Sequence, residues 1–255
     1  MSGALLLAVD GLSKSWGGVQ AVREVSFTLA AGEMLALIGP NGAGKSTCFN
    51  MLNGHVQPDA GRVMLAGQEI TGLSPARIWA LGVGRTFQIT ATFASMTVRE
   101  NVQMGLLTHR RKSLSVSRWF LSRAGAALRA EADELLALVD MLPQAHRLCA
   151  ELAYGDLKRL ELALALTNAP RLLLMDEPTA GMAAQERTAL MRLTSRIARE
   201  RGLGVLFTEH DMDVVFGEAD RVMVLDRGVL IAQGAPADVR ANERVRAVYL
   251  GEDIV

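Results

Sequence analysis

Gly39-Pro40-Asn41-Gly42-Ala43-Gly44-Lys45-Ser46 fits the pattern G-x-x-x-x-G-K-[ST] and, with Thr47, joins the apolar run Met34 to Ile38 to a helix-like stretch. A loop of this kind belongs between a buried strand and the first turn of a helix, and that demand restricts the fold more than any other stretch of the chain. Backbone N–H groups turn inward in succession only where no Cβ obstructs them, and together they form a concave cradle for phosphate oxygens. The motif assigns Lys45 to the β and γ phosphates and Ser46 to Mg²⁺. A nucleoside triphosphate is therefore the expected ligand.

With 255 residues, 50% of them apolar, the chain is long enough to bury a sizeable core, and we read it as one domain with subdomains. Its 27 basic and 27 acidic residues balance, so no global field attracts nucleic acid, which is excluded as the default partner. Cys48 and Cys149 lie far apart, without metal-ligand spacing, and are expected to be reduced buried thiols. The longest apolar runs, such as Ala4 to Val9 and Leu172 to Met175, fall far short of the roughly 18 residues that a membrane span needs. No secretory pattern opens the sequence, so the chain is expected in the cytoplasm.

Between Leu5 and Leu37 the pattern predicts short strands, with Val25, Phe27 and Leu29 alternating with Ser26 and Thr28, and turns at Gly17-Gly18 and Ala31-Gly32. Arg62 to Leu65 and Glu69 to Ile70 read as a hairpin about Ala66-Gly67. These pieces predict a β subdomain near the nucleotide. From about residue 89 to 167 the composition turns to Leu, Ala, Arg and Glu with helical spacing, as at Leu135, Leu138, Val139 and Leu142, predicting a helical subdomain. It carries a basic run, His109-Arg110-Arg111-Lys112 with Arg118, Arg123 and Arg129, which suits either a solvated surface or contact with a partner or lipid headgroups. Beyond Pro170, strand-like runs at Leu172 to Met175, Gly204 to Phe207 and Arg221 to Leu225 alternate with helical stretches, which predicts a mainly parallel α/β sheet. A turn at Asp226-Arg227-Gly228 leads to Val229 to Ala232, and a terminal helix is predicted over 237–251.

The strand Leu172 to Met175 ends in Asp176-Glu177. In a parallel sheet such residues emerge at the carboxyl edge, where ligands bind. Asp176 is placed for the Mg²⁺ shell, and Glu177 for polarising a water aimed at the γ phosphate.

Taken in order, Gly39 to Ser46, Gln88 within Arg85-Thr86-Phe87-Gln88, Leu152-Ala153-Tyr154-Gly155-Asp156, Leu172 to Met182, and His210 within Thr208-Glu209-His210-Asp211 resemble the motifs of ATP-binding cassette (ABC) ATPases over essentially the whole chain. The resemblance implies an α/β P-loop NTPase fold: a RecA-like core, an antiparallel β subdomain and an α-helical subdomain. It implies ATP with Mg²⁺, cradled by residues 39–47. Gln88 would sense Mg²⁺ and cargo status where the core meets the helical subdomain. His210 would contact the γ phosphate, and Trp16 would stack on adenine. Leu152 to Asp156 resembles the family signature, which closes on a partner subunit's nucleotide through Gly155 and the following helix N-terminus. The usual serine is here Ala153, the usual glutamine Asp156, and Tyr154 stands where glycine is commoner. The lost hydroxyl removes a hydrogen bond to ATP of roughly 1.5–3 kcal/mol.

Four tracts, Gly82 to Gln88, Glu177 to Met182, Glu209 to Phe216 and Arg244 to Gly251, are similar to the importer group for branched-chain amino acids, urea and amides. That similarity implies a heterodimer or homodimer with a second ABC ATPase subunit, placed beneath transmembrane permease subunits on the cytoplasmic side of the inner membrane. A periplasmic solute-binding protein would feed the permeases. Two other readings stay open: a soluble cassette ATPase outside transport, and a weakly active regulatory subunit.

Overall fold

Val25, Phe27 and Leu29 are buried on one face of a long N-terminal hairpin, while Ser26 and Thr28 face away from it. Its strands are β1 (Leu5–Trp16) and β2 (Val19–Ala30), turning at Gly17-Gly18. Each has 12 residues, longer than the short strands that the sequence predicts. Register shifts between Val9 and Leu12 and again around Lys14 break the alternation, so only part of each strand shows a period of two. After β3 (Met34–Ile38) and α1 (Lys45–Leu52), the chain returns with β4 (Ala60–Leu65) and β5 (Gln68–Glu69), which turn at Ala66-Gly67 as expected. They complete a four-stranded sheet, β2-β1-β4-β5, whose paired strands are all antiparallel. This computed structural model describes residues 4–86, 92–110 and 122–249.

The remaining elements are α2 (Pro75–Ala80), β6 (Val83–Thr86), α3 (Val98–Arg110), α4 (Ser122–Leu138), α5 (Tyr154–Leu166), β7 (Leu172–Asp176), α6 (Ala184–Arg201), β8 (Gly204–Thr208), α7 (Met212–Glu218), β9 (Arg221–Asp226), β10 (Val229–Gly234), α8 (Pro236–Ala241) and α9 (Glu243–Tyr249). The second sheet has the order β10-β9-β3-β8-β7-β6. Five of its strands pair in parallel, and β10 is an antiparallel edge. Its inner strands read as unbroken apolar runs because both faces are covered. Met34, Ala36 and Ile38 enter one core with α3 to α7, whereas Leu35 and Leu37 enter another shared with α1 and the antiparallel sheet. Strand β7 divides in the same way, Leu173 and Met175 against Leu172 and Leu174. Since β3, β7 and β8 run parallel, their carboxyl ends meet at one edge, and the chain leaves that edge into residues 39–44, 177 and 209–210.

Two expectations need correction. The helix predicted over 237–251 is divided, within its described part, into α8 and α9. Asn242 breaks it with an extended backbone, φ −69° and ψ 120°. Its Oδ1 accepts from the N–H groups of Arg244 (2.9 Å) and Val245 (3.2 Å), capping the second helix. Leu142 does not continue the helical face of Leu135 and Leu138. The α4 helix ends at Leu138, and Leu142 is 41% exposed in a short 3₁₀ turn. Cys48 and Cys149 are buried free thiols, and burial pushes the Cys48 thiol up to about 12. Gln88 and the side chains of the basic run from His109 to Arg123 lie outside the described residues.

Candidate nucleotide-binding site

Two glycines fix the path of the loop between β3 and α1. At Gly39, φ is +154° and a Cβ would lie 2.2 Å from the Leu225 carbonyl oxygen. At Gly44, φ is +104° and a Cβ would lie 2.2 Å from the Ala21 carbonyl oxygen. The loop is thus wedged between β9 and β2 at distances that no side chain allows. Gly44 is the N-cap of α1 and offers no side chain as acceptor. The first-turn N–H groups consequently have no partner within the helix, an arrangement that suits an anion. Ala43 is buried, Pro40, Gly44 and Thr47 are half-buried, and Asn41, Gly42 and Ser46 are exposed.

Lys45 is buried and turns back on its own loop, its Nζ donating to the Gly39 carbonyl and, at 3.1 Å, to that of Pro40. Burial holds the ammonium below the usual lysine range, while Glu177 and Asp176 act in the opposite direction. A polyanion in the cradle would favour its charged form further.

The acidic side of the site is built by β7 and β8, where Asp176 pairs in register with Thr208. Thr208 Oγ1 donates to Asp176 Oδ1 (2.8 Å) and accepts from the Glu177 N–H (3.1 Å), which also donates to the Thr208 carbonyl (3.1 Å). Glu177 adopts φ +48°, a left-handed conformation costly for a residue with a Cβ and typical of functional positions. His210 Nε2 lies 2.9 Å from Glu177 Oε1. A carboxylate can only accept, so the proton sits on Nε2. Next to His210, Glu209 is buried and accepts from the Thr179 N–H (2.8 Å) and hydroxyl (2.7 Å). Burial raises the Glu209 carboxyl above its ordinary range, against the lowering effect of those two donors. These bonds tie the segment after β8 to the segment after β7.

Among the residues expected at the site, Lys45, Asp176, Glu177 and His210 are brought together. Trp16 ends β1, 53% exposed, with Lys14 Nζ 4.9 Å from its ring centroid. Gly155 lies elsewhere, in the first turn of α5, where an added Cβ would sit 3.0 Å from Glu186 Oε1 of α6. Ala153 caps α5 without a side-chain bond. The Tyr154 hydroxyl donates to the Ala180 carbonyl (3.0 Å), joining the start of α5 to the loop after Glu177.

Sequence reasoning missed Thr208, the Glu209 to Thr179 tie and Arg85, whose Nη2 lies 3.5 Å from Asp176 Oδ2. All three stood in tracts already noted, but their partners are 30 or more residues away. Among the described residues, no cluster of three or more His, Cys, Asp or Glu side chains could cage a metal ion. One hydroxyl, Ser46, and one carboxylate, Asp176, suit Mg²⁺ bound mainly through phosphates and water.

Residues 22–180 match the family model described as ABC transporter, and residues 229–255 match one described as Branched-chain amino acid ATP-binding cassette transporter. The chain is 39% identical over 254 residues to the high-affinity branched-chain amino acid transport ATP-binding protein LivG of Salmonella typhimurium, covering 97% of this chain and 98% of that one. To BraF of Pseudomonas aeruginosa, with the same description, it is 36% identical over 253 residues, covering 97% and 98%. A crystal structure of the ADP conformation of an ATP-binding cassette of an ABC transporter superposes with a TM-score of 0.85 at 28% identity, over 97% of this chain and 99% of that one. With a family model matched over more than half of its length and relatives alike over almost all of it, this chain belongs to the ABC transporter family of ATP-binding proteins.

Proposed function

We propose that the chain is the ATP-hydrolysing subunit of an importer for branched-chain amino acids or a related small polar solute such as urea or an amide. The observation that carries this reading is the likeness to LivG and BraF along almost the whole chain, together with the match of residues 229–255. Residues 39–47 cradle the phosphates, Lys45 neutralises them, and Trp16 stacks on adenine. Ser46, Asp176 and Gln88 hold Mg²⁺, which when bound offsets phosphate charge. Glu177 orients and polarises the attacking water, while His210 fixes the carboxylate and reaches the γ phosphate. Gly155 and the start of α5 face the nucleotide of a second cassette, so one chain cannot complete its own site.

Nucleotide shifts the pair toward closure only by binding the closed form better than the open one. Helices α3 to α5 serve as a helical subdomain that passes this movement to permease subunits. A groove of about 570 Å³ beside it, lined by Trp79, Arg85, Phe93, Met104 and Glu161, offers the permeases a seat. No helix among the described residues is long and apolar enough to cross a membrane. The likeness to LivG and BraF supports a peripheral place on the cytoplasmic side of the inner membrane. A second reading, a weakly active partner in a heterodimer, is favoured by Ala153, which brings no hydroxyl to the start of α5.

The test is uptake of radiolabelled leucine, urea and acetamide by cells deleted for this gene. The wild-type gene should restore uptake of one of these solutes and the Glu177→Gln gene should not. Uptake of all three unaffected by the deletion would overturn the importer reading.

A further inference from the structure

Arg85 lies on β6 opposite Leu174 of β7, and its guanidinium reaches both Asp176 and Asn50. Nη2 is 3.5 Å from Asp176 Oδ2, and Nη1 donates to Asn50 Oδ1 of α1 at 3.1 Å. Both charged side chains are largely buried, 21% and 13% exposed. The other carboxylate oxygen, Oδ1, accepts from the Thr208 hydroxyl. Asp176 therefore has one oxygen on a neutral donor and the other facing a fixed cation. A separation of 3.5 Å exceeds an ordinary N–H···O bond, yet the Coulomb interaction persists at that range and is little screened by salt in a buried place.

A divalent ion approaching this carboxylate meets a like charge already stationed there. Asn50 lies on the helix that begins at Lys45, so the guanidinium is tethered to the same element that presents the phosphate cradle. Asp176 keeps its position without the arginine, because β7 is paired on both sides and Thr208 holds Oδ1.

We propose that Arg85 is a positioning residue that makes Mg²⁺ capture by Asp176 conditional on nucleotide, lowering the carboxylate's attraction for the free ion until phosphates supply further negative charge. This rests on the reading of Asp176 as an Mg²⁺ ligand.

The test is calorimetric titration with Mg²⁺ of the nucleotide-free chain and of the chain saturated with a non-hydrolysable ATP analogue, with the ratio of the Mg²⁺ affinity with analogue to that without it as the readout. Arg85→Gln should lower that ratio about tenfold by strengthening the nucleotide-free chain's hold on the ion, the effect of a unit charge on a nearby divalent ion even under water-like screening. Arg85→Lys, which keeps the charge, should stay within twofold of wild type. A folded Arg85→Gln chain with an unchanged or larger ratio overturns the proposal. If that variant does not fold, Arg85→Lys decides: a ratio within twofold supports charge as the cause, and one outside it overturns the proposal. Asp176→Asn is the companion arm. If it leaves Mg²⁺ binding in the presence of the analogue intact, Asp176 is not the ligand and both readings fall; if it removes that binding, the Arg85 result stands by itself.

Discussion

Replacing Glu177 by glutamine is expected to lower kcat for ATP by about 10²–10⁴, the range for loss of a positioned general base, while nucleotide affinity stays within a few-fold. The geometry explains the separation. Glutamine keeps an oxygen that can accept from His210 Nε2, now 2.9 Å from the carboxylate. It also keeps the backbone N–H that bonds to Thr208. The left-handed turn at residue 177 survives, and only basicity toward water is lost. Steady-state turnover together with analogue binding measures both quantities. A variant that retained more than a tenth of wild-type kcat would mean that the water is activated elsewhere.

The second large effect is expected at Lys45, where Lys45→Ala should weaken ATP binding by about 100-fold. Two charge-assisted hydrogen bonds to phosphate would be worth roughly 3–6 kcal/mol together. Part of that is offset, because the ammonium must first leave the carbonyls of Gly39 and Pro40. The empty chain should not lose stability. Its Lys45 is held below the ordinary 10.5 by burial, so the folded state releases this proton more readily than the unfolded chain, and stability rises as pH climbs through that window toward 10.5. At neutral pH the buried charge weighs against the fold, and alanine removes it. Calorimetric titration with ATP and a thermal melt of the empty protein test the pair of claims. Undiminished affinity, or a sharply lower melting point, would contradict them.

What the sequence made legible was local or periodic. The phosphate loop is contiguous, and its glycines are required by backbone approaches of 2.2 Å to Leu225 and Ala21. The buried strands were visible as apolar runs because each lies between two cores, as β3 does with Met34 and Leu35 facing opposite ways. Asp176 and Glu177 stood out through their place at the end of such a run.

What stayed hidden depends on parallel pairing across long stretches of chain. Nothing near Thr208 announces that β8 will place it beside Asp176, or that Arg85 on β6 will face the same carboxylate. Nor does anything near Glu209 announce that Thr179 will donate to it twice. The bulges of β1 and the cap at Asn242 were obscured for another reason, since single residues there interrupt patterns that otherwise continue on both sides.

The most direct measurement is the dependence of turnover on chain concentration, made with the purified protein from nanomolar to micromolar levels and again with added second cassette subunit. If the triphosphate is completed by two chains, the rate per chain rises with concentration or on adding the companion, and falls toward zero on dilution. A rate per chain that is constant across the range, at full speed in the lone monomer, would contradict it.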